Sequence, residues 1–251
     1  MSAGAPYPTP EAPGALVTFV PSLPNPRTFG QAVPPLLDLT GREPGDDADV
    51  AAVRVARELP GAVALWRAWW LGAPEPERVF VLETADGQAV PGMRVYRTGE
   101  KPTVDVRAAR NAGALLWTAA EPHPIRVAKV FDVVDDRGAR FEPGHELLTG
   151  ADRGQVVTWL DAGAPVFGTG SALPDVVEPS RGAVVPMTYR TDGRWLWTES
   201  VTYYVRTYGL APDPALLTHV RAAGTALPTP DAADEHRALA LLLQSAAFVQ
   251  S

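Results

Sequence analysis

The stretch TYRTDGRWLWTESVTYYVRTYG, residues 188–209, decides how the second half of the chain folds. Two runs of strand-forming residues flank Asp192-Gly193, and this dipeptide favours a two-residue type I′ turn, in which both central residues need φ > 0. Such a turn fixes the register of the predicted hairpin and places Arg190 opposite Trp195. Alternate residues along each strand then share one face of the sheet.

The two faces of the predicted hairpin differ in chemistry. One is an ordinary apolar face, formed by Met187, Tyr189 and Leu196. The other brings indole rings next to a guanidinium, with Thr188, Arg190, Trp195 and Trp197. Burial of one tryptophan removes about 150–250 Å² from water, which is worth several kcal/mol. We therefore expect this face to be covered by helices of the same chain; the alternative is an exposed aromatic patch that awaits a partner or a ligand.

The residues after the hairpin predict helices that can provide this cover. An apolar stripe with spacing i, i+3, i+4 and i+7 marks the first helix, with Val201, Tyr204, Val205 and Tyr208. Gly209 is placed as its left-handed stop. Asp213-Pro214 and Thr229-Pro230 begin two more helices. The sequence thus predicts a C-terminal cluster of three helices within residues 199–249.

The chain upstream of the hairpin predicts a β-rich body over residues 78–198. Residues 78–84 and 92–98 form a predicted antiparallel hairpin across the turn ADGQ. The alternation in TVDVR, residues 103–107, and the apolar run at 125–135 indicate further strands.

The N-terminal part of the chain differs from the β-rich body in its proline content and in its predicted helices. Prolines recur through residues 1–46, which argues against long helices and central strands there. An acidic start predicts a helix from about residue 47, and AVALWRAWWLG, residues 62–72, favours a second helix over a strand. We therefore predict an α+β fold: a Pro-rich segment over 1–46, then a single α+β domain over 47–251 with a mainly antiparallel β-sheet body.

Composition excludes several classes of protein. The 251 residues carry a formal net charge of −7, which argues against a general nucleic-acid binder. The absence of cysteine excludes a disulfide framework and thiolate chemistry. The first apolar run, ALVTFV at 15–20, is too short for a signal core or a membrane span, so we expect a cytoplasmic protein. Abundant Ala, Pro and Gly, with arginine in place of lysine, indicate a GC-rich genome such as that of an actinobacterium.

No catalytic signature stands out. His123, His145, His219 and His236 lack metal-binding spacing, and no Gly-x-Ser-x-Gly elbow is present. The Gly-rich stretch FGTGSALPD, residues 167–175, lacks the ending of a phosphate-binding loop. Three nearby carboxylates fit an acidic hairpin turn: Asp132, Asp135 and Asp136. We therefore predict no catalytic residue, no metal site and no cofactor.

The turn, the Trp-x-Trp strand and the Tyr-Tyr helix together resemble a segment found in other proteins. RTDGRWLWTESVTYYVRTYGLAPDPALLTHV, within residues 184–222, resembles a segment of uncharacterised actinobacterial proteins, some of them encoded near toxin–immunity or secretion loci. The resemblance implies an interaction or immunity protein. It carries over no catalytic residue.

These observations favour a non-enzymatic cytoplasmic protein-interaction module, of the immunity, chaperone or adaptor kind, that uses an aromatic and arginine surface. The candidate contact residues are Tyr189, Arg190, Trp195, Trp197 and Tyr204. Arg190 is expected to stack on Trp195 as a cation–π pair. One alternative is a small-ligand-binding protein or enzyme with a pocket around the Trp-x-Trp hairpin. Another is a structural subunit of a larger assembly or oligomer. We expect a protein partner, with no nucleic acid and no membrane.

Overall fold

The structure is a computed structural model that describes residues 18–23, 35–72, 74–168 and 170–249. Residues 1–17 and 24–34, which hold most of the predicted Pro-rich segment, lie outside the described residues. The fold class is confirmed: helices and strands are mixed, antiparallel pairing dominates, and three helices follow one another at the C-terminal end.

The elements are numbered in chain order. The helices are α1 Asp47–Glu58, α2 Val104–Asn111, α3 Gly150–Ala162, α4 Glu199–Tyr208, α5 Pro214–Ala223 and α6 Ala232–Val249. The first strands are β1 Phe19–Val20, β2 Leu37–Asp38, β3 Ala62–Trp70, β4 Glu77–Thr84, β5 Met93–Arg97, β6 Ala114–Thr118 and β7 Arg126–Val127. The remaining strands are β8 Val133–Asp135, β9 Gly138–Arg140, β10 Ala164–Phe167, β11 Ala172–Pro174, β12 Ala183–Pro186, β13 Tyr189–Thr191 and β14 Trp195–Thr198.

Contacts within the chain group its residues into two compact units. Unit 1 takes the described residues of 1–36 and 44–116, and unit 2 takes 37–43 and those of 117–251. The division at residue 46, with one domain over 47–251, stays a prediction.

The sheet of unit 1 has the strand order β6-β3-β4-β5, and β1 pairs with the end of β3. β3 and β4 are antiparallel, whereas β4 and β5 are parallel. The predicted hairpin of residues 78–84 and 92–98 is therefore wrong. Gly87 and Gly92 both have φ of 76°, so the connection turns twice and β5 runs in the same direction as β4.

The segment predicted as a second helix is the central strand β3. Leu65, Trp66 and Ala68 are fully buried, as is Ala64, so both faces of the strand are covered. A strand buried on both faces has a continuous apolar run without alternation, which is also the pattern of a buried helix. The helix prediction for residues 62–72 is wrong for this reason.

The opposite error occurs at residues 103–107, predicted as a strand. Helix α2 begins at Val104, and its buried residues Val106 and Ala109 have helical spacing. Val104 is exposed, so the apparent alternation of two valines does not describe a buried face. The run at 125–135 also differs from prediction, because it forms only the short strands β7 and β8.

A buried ion pair links helix α1 to strand β3 in unit 1. The Asp49 side chain is fully buried and pairs with Nη1 of Arg67, whose Nη2 donates to the carbonyl oxygen of Pro21 at 2.9 Å. Arg78 approaches the other oxygen of Asp49 at 3.3 Å. Burial raises the pKa of the Asp49 carboxyl, and the Arg67 charge opposes that rise.

The main sheet of unit 2 has the order β10-β13-β14-β7, in which β7 pairs with β14 in parallel and the other neighbours are antiparallel. The predicted hairpin β13–β14 lies at its centre, but the predicted register is wrong. Arg190 lies opposite Trp197, and Thr191 opposite Leu196. The register is shifted by two residues, which preserves the face of every side chain.

The turn explains this shift. Gly193 has φ of 90°, but no residue other than glycine in the described chain has positive φ, so a type I′ turn is excluded. Instead, Oδ1 of Asp192 accepts hydrogen bonds from the backbone N–H of Arg194 at 2.9 Å and of Trp195 at 2.7 Å. The loop therefore takes in two more residues than predicted.

The core of unit 2 lies on the tryptophan face of the hairpin. Trp195 and Trp197 are buried at 4% and 0% exposure. Helices α3, α4 and α5 supply the covering side chains, among them Val156, Trp159, Leu160, Val201, Val205, Leu216, Leu217 and Val220. The expectation that helices of the same chain cover this face is confirmed, but α3, which precedes the hairpin, takes the place of the third C-terminal helix in this cover.

Candidate functional site

The five residues predicted from the sequence lie in different surroundings. Trp195, Trp197 and Tyr204 are buried, whereas Tyr189 and Arg190 are half-buried. Arg190 contacts its own chain: it pairs with Glu199 at 2.7 Å and donates to the carbonyl oxygens of residues 161 and 163. The role of these five residues in binding a partner stays a prediction, but the buried indole faces are occupied by the core.

The tyrosines of helix α4 anchor the segment that precedes β12. Tyr203 and Tyr208 both donate their hydroxyls to the buried carboxylate of Asp175, and the Tyr204 hydroxyl accepts from the N–H of Val176 at 3.2 Å. Asp175 also accepts from the backbone N–H groups of Val177 and Glu178. The aromatic cluster of α4 is thus a structural tether.

These contacts shift the titration of the groups involved. Burial alone would raise the pKa of Asp175, but the hydroxyls of Tyr208 and Tyr203 and the two backbone donors outweigh it and hold that pKa below its usual value. Burial and the bond to Asp175 raise the pKa of Tyr208 to about 12.

A basic recess opens beside the turn of the β13–β14 hairpin. It encloses about 330 Å³ and is lined by His123, Pro124, Arg126, Arg194, Trp195 and His219. No carboxylate is among these lining residues. Within the part of the chain that the structure describes, neither Arg126 nor Arg194 forms an ion pair.

Strand pairing brings the two arginines together. β7 runs parallel to β14, so that Arg126 lies opposite Trp195 and its N–H donates to the carbonyl oxygen of Arg194 at 2.9 Å. The guanidinium of Arg126 lies 4.3 Å from the ring centroid of Trp195. The cation over Trp195 is therefore Arg126, and the predicted stack of Arg190 on this ring is wrong, because Arg190 is held by Glu199.

The two histidines of the recess have defined partners. Nη2 of Arg194 lies 3.3 Å from Nε2 of His123. A guanidinium only donates hydrogen bonds, so His123 accepts with Nε2 and carries its proton on Nδ1 in this arrangement. Nε2 of His219 lies 2.6 Å from Oδ2 of Asp192, whose side chain is 5% exposed. The same Asp192 thus holds both the hairpin turn and the His219 ring.

An acidic recess adjoins the basic one, because Arg194 and His123 line both cavities. It encloses about 230 Å³, and its acidic lining residues are Glu121, Asp192, Asp231 and Asp234. Burial raises the pKa of Asp234, and the charge of Asp231 adds to the effect. Arg237 also lines this recess and is held by Asp38 at 3.2 Å and by the carbonyl oxygen of residue 123 at 2.6 Å.

Sequence reasoning missed most of the basic recess. Arg126, Arg194, His123 and His219 come from three distant segments, and no spacing in the sequence connects them. The only local signal was the Asp-Gly turn, because an aspartate at the start of a turn commonly accepts backbone N–H bonds.

Within the described ranges, no group of three or more His, Asp or Glu side chains could hold a metal ion. None of the helices described is both long and apolar enough to cross a bilayer. Comparison of the chain with protein-family models, with curated proteins and with solved structures found no match.

Proposed function

We propose that this protein is a non-enzymatic interaction module of the cytoplasm that binds an acidic group of a protein partner in the basic recess of unit 2. One observation carries the proposal: the guanidiniums of Arg126 and Arg194 line one recess, and neither pairs with a carboxylate of the described residues. Clusters of arginine without internal partners are a recurrent means of recognising acidic or phosphorylated motifs.

The charge of the whole chain supports a local contact over a general one. The formal net charge is −7, so a long polyanion is repelled at a distance. A discrete acidic group can enter the recess, where two guanidiniums with planar donor forks meet it. We therefore assign recognition to a short motif of a folded or extended protein partner.

The recess is held in place before any partner arrives. The Asp192 carboxylate fixes the turn and the His219 ring, and Trp195 forms a buried wall under Arg126. Side chains positioned in this way lose less conformational entropy on binding. This arrangement suits the immunity, chaperone or adaptor class expected from the sequence, with Trp195 as the one predicted aromatic that reaches the recess.

The test is a titration of the full-length chain by calorimetry with a blocked peptide that contains glutamates separated by glycines. Its glutamine analogue is the ligand control. We expect binding of the glutamate peptide alone, weakened about tenfold or more in Arg126→Gln and Arg194→Gln. Arg140→Gln is the matched control, because Arg140 is exposed and pairs with Asp135 away from the recess. If all three substitutions weaken binding of the glutamate peptide equally, the effect comes from the net charge of the protein, and the basic recess is not the binding site.

A small-ligand binder or enzyme is the second candidate, and the His219–Asp192 hydrogen bond is the observation that favours it. A carboxylate that orients an imidazole beside cationic groups is a common arrangement for acid–base work. The volume of about 330 Å³ lies at the lower end of ligand pockets. If a His219→Gln variant still binds the glutamate peptide, the result favours the interaction module over this alternative.

A further inference from the structure

We infer that the acidic group preferred by the basic recess is a phosphoryl monoester on a side chain of the partner, which binds there more tightly than a carboxylate. This inference rests on the proposed function, since it names the chemistry of the group that the same recess accepts. It follows from the number of fixed charges, from the donors that line the recess and from the acidic recess next to it.

The charge count favours a dianion. Arg126 and Arg194 provide two permanent positive charges at a recess without a lining carboxylate. A phosphoryl monoester carries about −1.5 to −2 charges and three acceptor oxygens at neutral pH. A carboxylate can accept from both guanidiniums, but its single charge leaves one positive charge of the pair unbalanced. Only the dianion matches both arginines.

Arg194 has unused capacity for a charged acceptor. The partner of its Nη2 is the neutral Nε2 of His123, at 3.3 Å, which is long for a hydrogen bond. A phosphoryl oxygen in place of this imidazole gives a charge-assisted bond, which is shorter and about twice as strong. The His123 ring remains at the rim of the recess and can donate through a protonated nitrogen.

The neighbouring acidic recess distinguishes an isolated phosphoryl group from a nucleic acid. Glu121, Asp231 and Asp234 line the acidic recess, which shares Arg194 and His123 with the basic recess. Phosphates that flank one bound in the basic recess meet these carboxylates if the chain extends along the shared residues, and like charges at short range cost free energy. A single phosphorylated side chain on a peptide avoids this contact.

The experiment uses the full-length chain and three blocked peptides that differ only at the central residue: phosphoserine, glutamate or serine. Inorganic phosphate is the fourth probe. We expect the phosphoserine peptide to bind at least about tenfold more tightly than the glutamate peptide and than inorganic phosphate, and the serine peptide not to bind. Arg126→Gln and Arg194→Gln should each remove most of the preference for phosphoserine, and Arg140→Gln should keep it.

Each outcome supports or overturns the inference. Equal affinity for the glutamate and phosphoserine peptides overturns it and leaves the proposed function standing. No binding of either peptide overturns both. Inorganic phosphate bound as tightly as the phosphoserine peptide assigns the recess to the free ion and overturns the partner-borne group. If a glutamine variant fails to fold, as judged by circular dichroism, the corresponding lysine variant replaces it. Arg194→Lys keeps the positive charge but loses the planar donor fork of the guanidinium. We expect this variant to bind the phosphoserine peptide more weakly than wild type does.

Discussion

The indole of Trp197 lies stacked on that of Trp159, with ring centroids 5.4 Å apart and ring planes at 30°. Gly163, which follows helix α3, passes directly against the edge of the Trp197 ring, so that a Cβ atom at this position would overlap the ring and come within 3.2 Å of the Thr191 carbonyl oxygen. Close packing between the end of α3 and the hairpin therefore depends on the absence of a side chain at one position.

We expect Gly163→Ala to destabilise the protein by about 1–3 kcal/mol, because Trp197 is fully buried and cannot move away without strain. Gly163 has φ of −59°, so the loss would come from space alone. Gly154→Ala in the interior of α3 is the matched control: nothing lies within 4 Å of the added Cβ, and a gain of about 0.5–1 kcal/mol is expected. Urea unfolding measures both. A Gly163→Ala variant as stable as wild type would contradict the packing.

Removal of the Asp175 carboxylate should release the segment that α4 anchors. Asp175→Ala removes the buried carboxylate that accepts from two half-buried tyrosine hydroxyls and from two backbone N–H groups, and each hydrogen bond to a charged group is worth about 1.5–3 kcal/mol. We expect a loss of at least about 2 kcal/mol in urea unfolding. Asp135→Ala is the control, because this aspartate is exposed in the β8–β9 hairpin. If both substitutions lower the free energy of unfolding by similar amounts, Asp175 does not anchor the segment as described.

The tether also predicts how stability depends on alkaline pH. The pKa of Tyr208 is raised from 10.0 to about 12 in the folded chain. The folded state therefore retains its proton more strongly than the unfolded state, and the stabilisation is complete below pH 10 and lost as pH rises toward 12. We expect the free energy of unfolding to fall over this interval more steeply in wild type than in Tyr208→Phe. Parallel pH profiles for the two proteins would show that Tyr208 does not contribute.

The buried ion pair of unit 1 should be costly to break from one side. Asp49→Ala leaves the Arg67 guanidinium buried without its counter-ion, and such losses are about 3–5 kcal/mol. The double variant Asp49→Leu, Arg67→Met removes both charges and should recover part of the loss. Asp47→Ala, at an exposed position of the same helix, is the control with a much smaller effect. A double variant less stable than Asp49→Ala would contradict this account.

Local signals predicted the elements that depend on local chemistry. Helix α5 begins as expected, with Asp213 accepting from the N–H groups of two following residues and Pro214 in the first turn. Helix α4 ends at Gly209 with φ of 78°. The two faces of the β13–β14 hairpin were also predicted, because side-chain alternation survives a shift of two residues in register.

Features that depend on distant residues were not predictable in this way. The run at 62–70 is a strand because β4 and β6 lie on either side of it, and nothing within the run distinguishes it from a buried helix. The candidate site shows the same limit. Arg126 lies beside Arg194 only because β7 and β14 pair in parallel. No short sequence pattern around either arginine predicts this pairing.

The parallel pairing of β7 with β14 also has a consequence for synthesis. β14 is the strand to which both β13 and β7 bond, and it follows every other strand of the described residues in the chain. A nascent chain that ends before Trp195 lacks this central strand, so β7 and the edge of β13 that faces β14 leave the ribosome without their hydrogen-bonding partner. The main sheet of unit 2 therefore forms only when the hairpin has emerged, and until then the nascent polypeptide carries unpaired strand segments on which ribosome-associated chaperones can act.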